Sequence, residues 1–310
     1  LISIVIVNWN SGPLLQSCIQ SLLRNAAGCQ IIIVDNASTD SSLTFGDALH
    51  AADLSILRSN RNVGFAAGNN LGWRQSSGDR ILFLNPDTEC LPESISCLDQ
   101  TLATDSAVWA AGGHLLSPSG KPQAGFNVRD FPSIRNVAAE MLLVDGIWPA
   151  KQRHRANRAV DAGEAVDVDQ PAGACLMVAR SALERVGGFD EAFRPAWFED
   201  VDLCRRLRNS GGRIQYQPKA QFLHHGGYSL DLMPRLDFLE IFHSNQVRYF
   251  KKHHGLRAAV RVKRWIVAGL VLRSALSVVF PPIPGAARSE SVKIYWRAAQ
   301  RIAGLQEAQL

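Results

Sequence analysis

The 310-residue sequence has no C-x-x-C pair and no Cys/His cluster with zinc-finger spacing, so a structural zinc site of the common kinds is excluded. Its six cysteines are expected to be reduced thiols of a cytoplasmic protein. It has no G-x-G-x-x-G fingerprint and no Gly-Lys-Ser/Thr, which removes the dinucleotide-binding and P-loop readings. It has no apolar run near the roughly 20 residues a spanning helix needs. The apolar opening from Leu1 to Val7 has no basic stretch before it and no small-residue cleavage site after it, so it is expected to be a buried strand and not a signal peptide. Acidic residues are missing from Ile241 to Ser289, a stretch holding nine Lys and Arg residues; the net charge of +5 is therefore a local property of the C-terminal part. No nucleic-acid motif accompanies that charge, and no nucleic-acid partner is expected. Hydrophobic residues at 46% against 20% charged suffice for a packed core and exclude disorder as the default.

The apolar pattern is that of strands alternating with helices. Ile2 to Asn8, Ile31 to Val34, Leu54 to Leu57 and Arg80 to Leu84 read as strands. Leu14, Leu15, Cys18, Ile19, Leu22 and Leu23 recur at helical spacing, with Ser11 as the expected cap. Such alternation predicts an α/β fold with a mostly parallel sheet and helices on both faces. Ligands of open sheets bind beyond the carboxyl ends of the strands. The polar clusters at Asn8–Asn10, Asp35–Asp40 and Asn85–Thr88 each follow a strand and should share one edge. Leu115 to Val168, with four prolines and the basic stretch 151–158, reads as loops and short helices. A compact block from Gln170 to Ser229 and a helical tail after Asp231 complete the chain.

Four segments could carry chemistry. Asp87 after Asn85-Pro86 is a strand-end carboxylate suited to Mg²⁺ or Mn²⁺, although the same residues make an ordinary Asx/Pro turn. Glu199, Asp200 and Asp202 crowd the first turn of a helix that ends at Gly211-Gly212. A helix dipole alone would favour that placement; the preceding Trp197 and Phe198 would in addition desolvate a carboxylate and raise its pKa, as a general base requires. His224 and His225 are candidate metal ligands or ordinary loop histidines. Asn62 to Gly72 is a Gly/Asn-rich helix start that either lets a nucleotide approach or packs a helix tightly on the sheet.

In their order, Val7-Asn8-Trp9-Asn10, V-D-N-A-S-T-D from Val34, N-x-G-F-A-A-G-N-N-x-G from Asn62, L-N-P-D-T from Leu84, G-A-C-L-M-V from Gly173, G-G-F-D-E-x-F from Gly187, F-E-D-V-D-L-C-x-R from Phe198 and H-H-G-G-x-S from His224 resemble the family 2 glycosyltransferases, and within them the rhamnosyltransferase-like branch of bacterial polysaccharide assembly. The resemblance runs from Ile2 to Ser229. It implies a GT-A fold, a Rossmann-like sheet with flanking helices: residues 1–114 as the nucleotide-sugar half, 115–229 as the acceptor and catalytic half, and 230–310 as a basic helical C-terminal region. It implies an inverting transfer of a sugar, with rhamnose favoured, from a dTDP- or UDP-linked donor to a glycan or polyprenyl-linked glycan. Asn8, Asn10, Asp35, Asn36, Asn62, Gly64, Asn69 and Asn85 would line the donor. Asp87 and His224 would hold Mg²⁺ or Mn²⁺, with His225 as the alternative. Asp200 would be the general base, with Glu199 beside it. Asn85 stands where the family often has a first acid, which removes one direct metal ligand. The tail from Trp265 to Phe280 is read either as an interfacial helix on the inner face of an anionic membrane or as a subdomain packing its apolar face on protein. A non-catalytic nucleotide-sugar-binding protein at the membrane is the alternative function, and it predicts donor binding with no turnover.

Overall fold

A computed structural model of the chain describes residues 1–44, 53–123, 125–144, 158, 161, 163–226, 233–279 and 287–306. Strand β1 (Ile2–Asn8) is buried on both faces from Ser3 onward, and so reads as one continuous apolar run. Strands β2 (Gln30–Asp35), β3 (Leu54–Arg58) and β4 (Arg80–Leu84) join it in the parallel order β3-β2-β1-β4. Helix α1 (Pro13–Asn25) follows β1. Its N-cap is Gly12 at φ 54°, and not Ser11 as expected. Pro13 in the first turn has its φ preset and no N–H to satisfy, so the preceding residue must supply the reversal, and glycine does so without strain.

Helix α2 (Phe65–Gln75) lies on β1 and β2 through its glycines. A Cβ on Gly68 would stand 2.8 Å from a Val7 methyl, and one on Gly72 only 2.3 Å from a Val5 methyl. The close packing that was one reading of this segment thus belongs to Gly68 and Gly72. Gly72→Ala is expected to destabilise the protein by about 1–3 kcal/mol through overpacking, measured by denaturant unfolding.

The rest of the sheet is mixed. Strand β5 (Thr88–Cys90) follows β4 directly; helix α3 (Ser94–Thr104) leads to β6 (Val108–Leu116), and the short β7 (Val128–Arg129) precedes helix α4 (Ile134–Met141). After these come β8 (Val166–Asp167), β9 (Gln170–Pro171), β10 (Cys175–Ala179), helices α5 (Arg180–Val186) and α6 (Glu199–Asn209), and β11 (Arg213–His224). The full order is β3-β2-β1-β4-β10-β6-β11-β5, with β8 on β11. β10 runs antiparallel between β4 and β6, while β11 is parallel to β6 and antiparallel to β5. β11 is the compact block's longest strand, buried at alternate residues, and its register on β6 shifts between Gln217 and Gln221, around Pro218, which has no N–H to give the ladder. Ile4, Ile6, Leu82 and Leu84 face a core shared with α1 and α3; Val5, Val7, Ile81 and Phe83 face one shared with α2, α5 and α6. This is the two-sided burial expected of the α/β class. All six cysteines are unpaired.

The chain divides into two compact units. The first is Leu1–Phe131, Ala150–Pro195 and Glu199–Ser229. The second is Pro132–Pro149, Ala196–Phe198 and Leu230–Leu310, so the expected boundary at 229/230 is joined by two earlier segments. The second unit holds α4 with α7 (Arg235–His254), α8 (Leu256–Leu276) and α9 (Arg288–Gly304). Met141 packs against Gly269, and Trp197 and Phe198 pack on the α7 rings of Phe238 and Phe242 at 5.0 and 5.2 Å. No helix among the described residues is long and apolar enough to cross a membrane. Of the basic stretch 151–158 only Arg158 is described, and Gly227, Tyr228, Ser229 and Phe280 also lie outside the described residues.

Candidate active site

Because β1, β2 and β4 are parallel, their carboxyl ends fall on one edge, and the register sets Asn8 opposite Asp35. The fully buried Asn8 amide lies 3.1 Å from Asp35 Oδ1, 3.0 Å from Ser38 Oγ and 2.9 Å from Ser42 Oγ. Asn10, at φ 50°, accepts the Thr39 N–H at 2.7 Å. Asn36 donates to Asn62 Oδ1 at 2.9 Å and accepts the Val63 N–H at 2.7 Å; Asn62 Oδ1 also takes the Gly64 N–H at 2.9 Å. These residues lash the loop after β2 to the loop before α2. Gly64 has φ 91° and lies against the Pro195 backbone, while Asn69 is buried and donates to Phe65 O within its own helix at 3.0 Å. The family resemblance implies that Asn36, Asn62, Gly64 and Asn69 line a nucleotide. In the structure, the polar groups just named hold loops and a helix turn together.

Asp87 and His224 meet through the β5–β11 pairing. Antiparallel register sets His224 opposite Thr88, and the next residue's N–H, that of His225, donates to Asp87 O at 3.0 Å. Asp87 Oδ2 accepts the Gly226 N–H at 3.1 Å, and Oδ1 lies 3.5 Å from His224 Nε2. Gln123 decides the state of that nitrogen. Its Nε2 donates to His224 O at 2.7 Å, so its Oε1 is the atom 2.8 Å from His224 Nδ1 and must accept a proton there. Burial holds the His224 imidazole below its ordinary range despite the nearby Asp87 charge, so the ring is neutral and Nε2 presents a lone pair toward the carboxylate. Two lone-pair donors facing each other at this distance repel unless a cation lies between them, and an oxygen with an imidazole nitrogen suits Mn²⁺ or Mg²⁺. Phe126 stacks on the His224 ring at 5.3 Å. His225 turns the other way, 2.9 Å from Glu89 Oε1. Among the described residues no group of three or more His, Cys, Asp or Glu could hold a metal; a cation held by this pair would need other oxygens as further ligands. Asn85 Oδ1 is a nearby buried acceptor without a partner.

The three acids of α6 have different surroundings. Asp202 is fully buried and bonded to Arg206 at 2.7 Å. Glu199 is 5% exposed; burial first, and then the Asp200 charge, push its carboxyl well above the ordinary carboxylate range. Burial thus drives the Glu199 carboxyl toward its neutral form, which is a poor proton acceptor. Asp200 is partly exposed, and its Oδ1 accepts the Val201 N–H at 2.8 Å. Its carboxylate rests on Gly173, where a Cβ would come within 2.6 Å of Oδ2. One residue on, Ala174 O accepts the Asn85 N–H at 2.9 Å. The turn before β10 thus touches Asp200 on one side and the Asn85-Pro86-Asp87 turn on the other. Sequence reasoning missed Gln123, which lies in the irregular stretch, and Gly173, whose only signal was its place in G-A-C-L-M-V.

Residues 3–137 match the family model described as glycosyl transferase family 2. Over those residues, a little under half of its length, the chain is similar to glycosyl transferase family 2. A second model, described as the N-terminal domain of galactosyltransferase, matches residues 153–227 of this glycosyltransferase. The enzyme is 29% identical over 295 residues to the N-acetylglucosaminyl-diphospho-decaprenol L-rhamnosyltransferase of Mycobacterium tuberculosis, covering 90% of the chain and 93% of that relative. It is 28% identical to rhamnosyltransferase WbbL of Escherichia coli K12, over 73% of the chain and 83% of WbbL. Among solved structures, the mannosyltransferase PcManGT of Pyrobaculum calidifontis, in complex with GDP-Man and Mn²⁺, superposes with a TM-score of 0.58 at 14% identity, covering 97% of this chain and 85% of that one. That likeness shows the GT-A fold.

Proposed function

We propose that this glycosyltransferase moves a hexose, L-rhamnose by preference, from a dTDP- or UDP-linked donor to a hydroxyl of a polyprenyl-linked glycan, with inversion, at the cytoplasmic face of the membrane in cell-surface polysaccharide assembly. The names of the two rhamnosyltransferase relatives support the sugar, and that of the Mycobacterium tuberculosis relative supports the acceptor class. The observation that carries the site is the convergence of Asp87 Oδ1 and His224 Nε2 at 3.5 Å with the proton held away on Nδ1. These two side chains would hold Mn²⁺ or Mg²⁺, which when bound neutralises charge on the leaving nucleoside diphosphate. Asn8, Asn10, Asp35 and Asn36, with the Asn62–Gly64 loop they brace, form the strand-end rim where the nucleoside would lie. Asp200 takes the proton of the acceptor hydroxyl as that oxygen attacks the anomeric carbon opposite the leaving group.

The test is a thermal-shift panel of nucleotides and nucleotide-sugars with and without Mn²⁺. A ligand binding only the folded state raises the melting temperature, by an amount equivalent to about 2.7 kcal/mol at 100 times its Kd. The expected result is a rise with one nucleoside diphosphate family, larger with Mn²⁺. An equal response to every nucleotide, with or without the ion, would refute the donor and metal reading.

A further inference from the structure

Two guanidinium groups border the candidate site without a carboxylate of their own. Arg129, at the end of β7, is exposed, and its guanidinium lies over the Phe126 ring, 4.7 Å from the centroid. Phe126 in turn stacks on the His224 imidazole at 5.3 Å, the rings 6° from parallel. The Arg129 charge is therefore no farther from the histidine that faces Asp87 than these two steps together. Arg205, half-buried on α6, lies over the Phe131 ring at 4.9 Å, and its Nε is buried with no hydrogen-bond partner among the described residues. Neither guanidinium makes an ion pair with a described residue. Nearby arginines are spent: Arg206 holds Asp202 and donates to Val186 O, each at 2.7 Å, and Arg213 holds Asp167 at 2.9 Å.

Both stand beside the route from the Asp87–His224 pair to Asp200. Arg129 pairs with Gln170 of β9, and three residues further on Gly173 supports the Asp200 carboxylate. That is at most about 10 Å of chain at about 3.3–3.6 Å per residue. Asp200 and Arg205 share α6, about 7.5 Å apart along its axis at about 1.5 Å per residue. The Phe131 N–H donates to Asp169 Oδ2 at 3.1 Å, which ties the residue carrying Arg205's ring to the start of β9. Phe126 precedes β7 and Phe131 follows it, so the two rings hold the two cations at its two ends.

We propose that Arg129 and Arg205 bind the carrier phosphate of the acceptor while the acceptor's hydroxyl lies at Asp200. The inference rests on the polyprenyl-linked acceptor proposed above, since such a carrier is joined to its sugar through phosphate. It narrows that class: the sugar that reacts is the one attached directly to the phosphate. A hydroxyl at Asp200 then brings the carrier phosphate within one sugar ring of that carboxylate and toward the donor's diphosphate. Like charges crowded in this way repel, most where water is excluded, and cations must offset them. A ring takes the flat face of a guanidinium and leaves its N–H edges free for paired hydrogen bonds to phosphate oxygens. The donor's diphosphate is assigned to the Asp87–His224 pair, which leaves the two guanidinium groups for the second anion.

The test is calorimetric binding of geranyl diphosphate to the full chain without metal, so that the Asp87–His224 pair contributes nothing, with geraniol as the uncharged control. Binding of UDP and dTDP with Mn²⁺ is measured beside it. Wild type is expected to bind geranyl diphosphate and not geraniol. R129Q, at an exposed position that does not threaten folding, should weaken that binding by about 10–100-fold, as loss of a charged hydrogen-bond donor does. R129Q/R205Q should weaken it further, and R129K should recover only part, because an ammonium cannot make the paired bonds. Nucleotide binding should stay as in wild type in all three variants. Failure of wild type to bind geranyl diphosphate would overturn the proposal, and so would R129Q binding it as wild type does. A parallel loss of nucleotide binding in R129Q would overturn it too, by assigning the guanidinium to the donor's diphosphate. Wild type that binds geranyl diphosphate through Arg129 yet responds to no nucleotide would keep this phosphate site and remove the proposed transfer.

Discussion

Asp200→Asn is expected to lower turnover by about 10²–10⁴-fold, the usual contribution of a positioned general base, while donor binding and melting temperature stay close to wild type. The substitution keeps size and shape, and the amide oxygen can still accept the Val201 N–H that Asp200 Oδ1 accepts at 2.8 Å. Only the capacity to take a proton is lost. Glu199 is a poor substitute, because it is buried and burial drives its carboxyl toward the neutral form. Asp202 cannot either, because Arg206 occupies it in the core. Gly173→Ala provides an independent check. Its new methyl would come within 2.6 Å of Asp200 Oδ2, so the carboxylate must move, and a displacement on the order of 1 Å is enough for about a 10²-fold loss. Single-turnover rates with saturating donor, beside donor binding by calorimetry, decide the matter. Near-normal turnover in Asp200→Asn would remove the assigned base.

Asp87→Ala is expected to abolish the Mn²⁺-dependent part of donor binding and to reduce turnover by about 10²–10³-fold, since charge neutralisation at a leaving diphosphate is worth several kcal/mol. The loss should not be recovered by excess Mn²⁺, because half of the chelating pair is gone. Gln123→Ala should behave differently. It leaves Asp87 and His224 in place and removes the acceptor that fixes the His224 Nδ1 proton, together with the Gln123 Nε2 hydrogen bond to His224 O. Partners of this type typically contribute 10–100-fold in metal affinity. Activity of Gln123→Ala should therefore return as Mn²⁺ is raised. Mn²⁺ titrations of donor binding in the two variants measure both effects. A donor affinity in Asp87→Ala that still responds to Mn²⁺ as wild type does would contradict the metal role.

Much of this site was legible before any coordinates. The strands at Ile2, Gln30 and Arg80 announce themselves as apolar runs because each is buried on both faces. Each polar cluster directly follows such a run, so placing the clusters on one edge needs only the parallel rule. β11 was harder to see. Its burial alternates with period two and its register breaks around Pro218, so it resembles neither a continuous apolar strand nor a helix. Serine's propensity alone favours Ser11 as the cap, whereas the backbone reversal before Pro13 falls on Gly12.

What the sequence by itself determined was the alternating α/β plan, the family pattern and the chemical types available: a strand-end carboxylate, a histidine pair and an acidic helix start. Tertiary structure alone decided which members of those sets face one another and which stay accessible. The antiparallel register of β11 on β5 turns His224 toward Asp87 and sends His225 to Glu89. Depth of burial leaves Asp200 as the accessible acid among three neighbours one and two residues apart. The physical reason is that residue type fixes what a group can do, whereas lone-pair direction, protonation and access to a substrate depend on neighbours up to about a hundred residues away in the chain, as Gln123 is from His224.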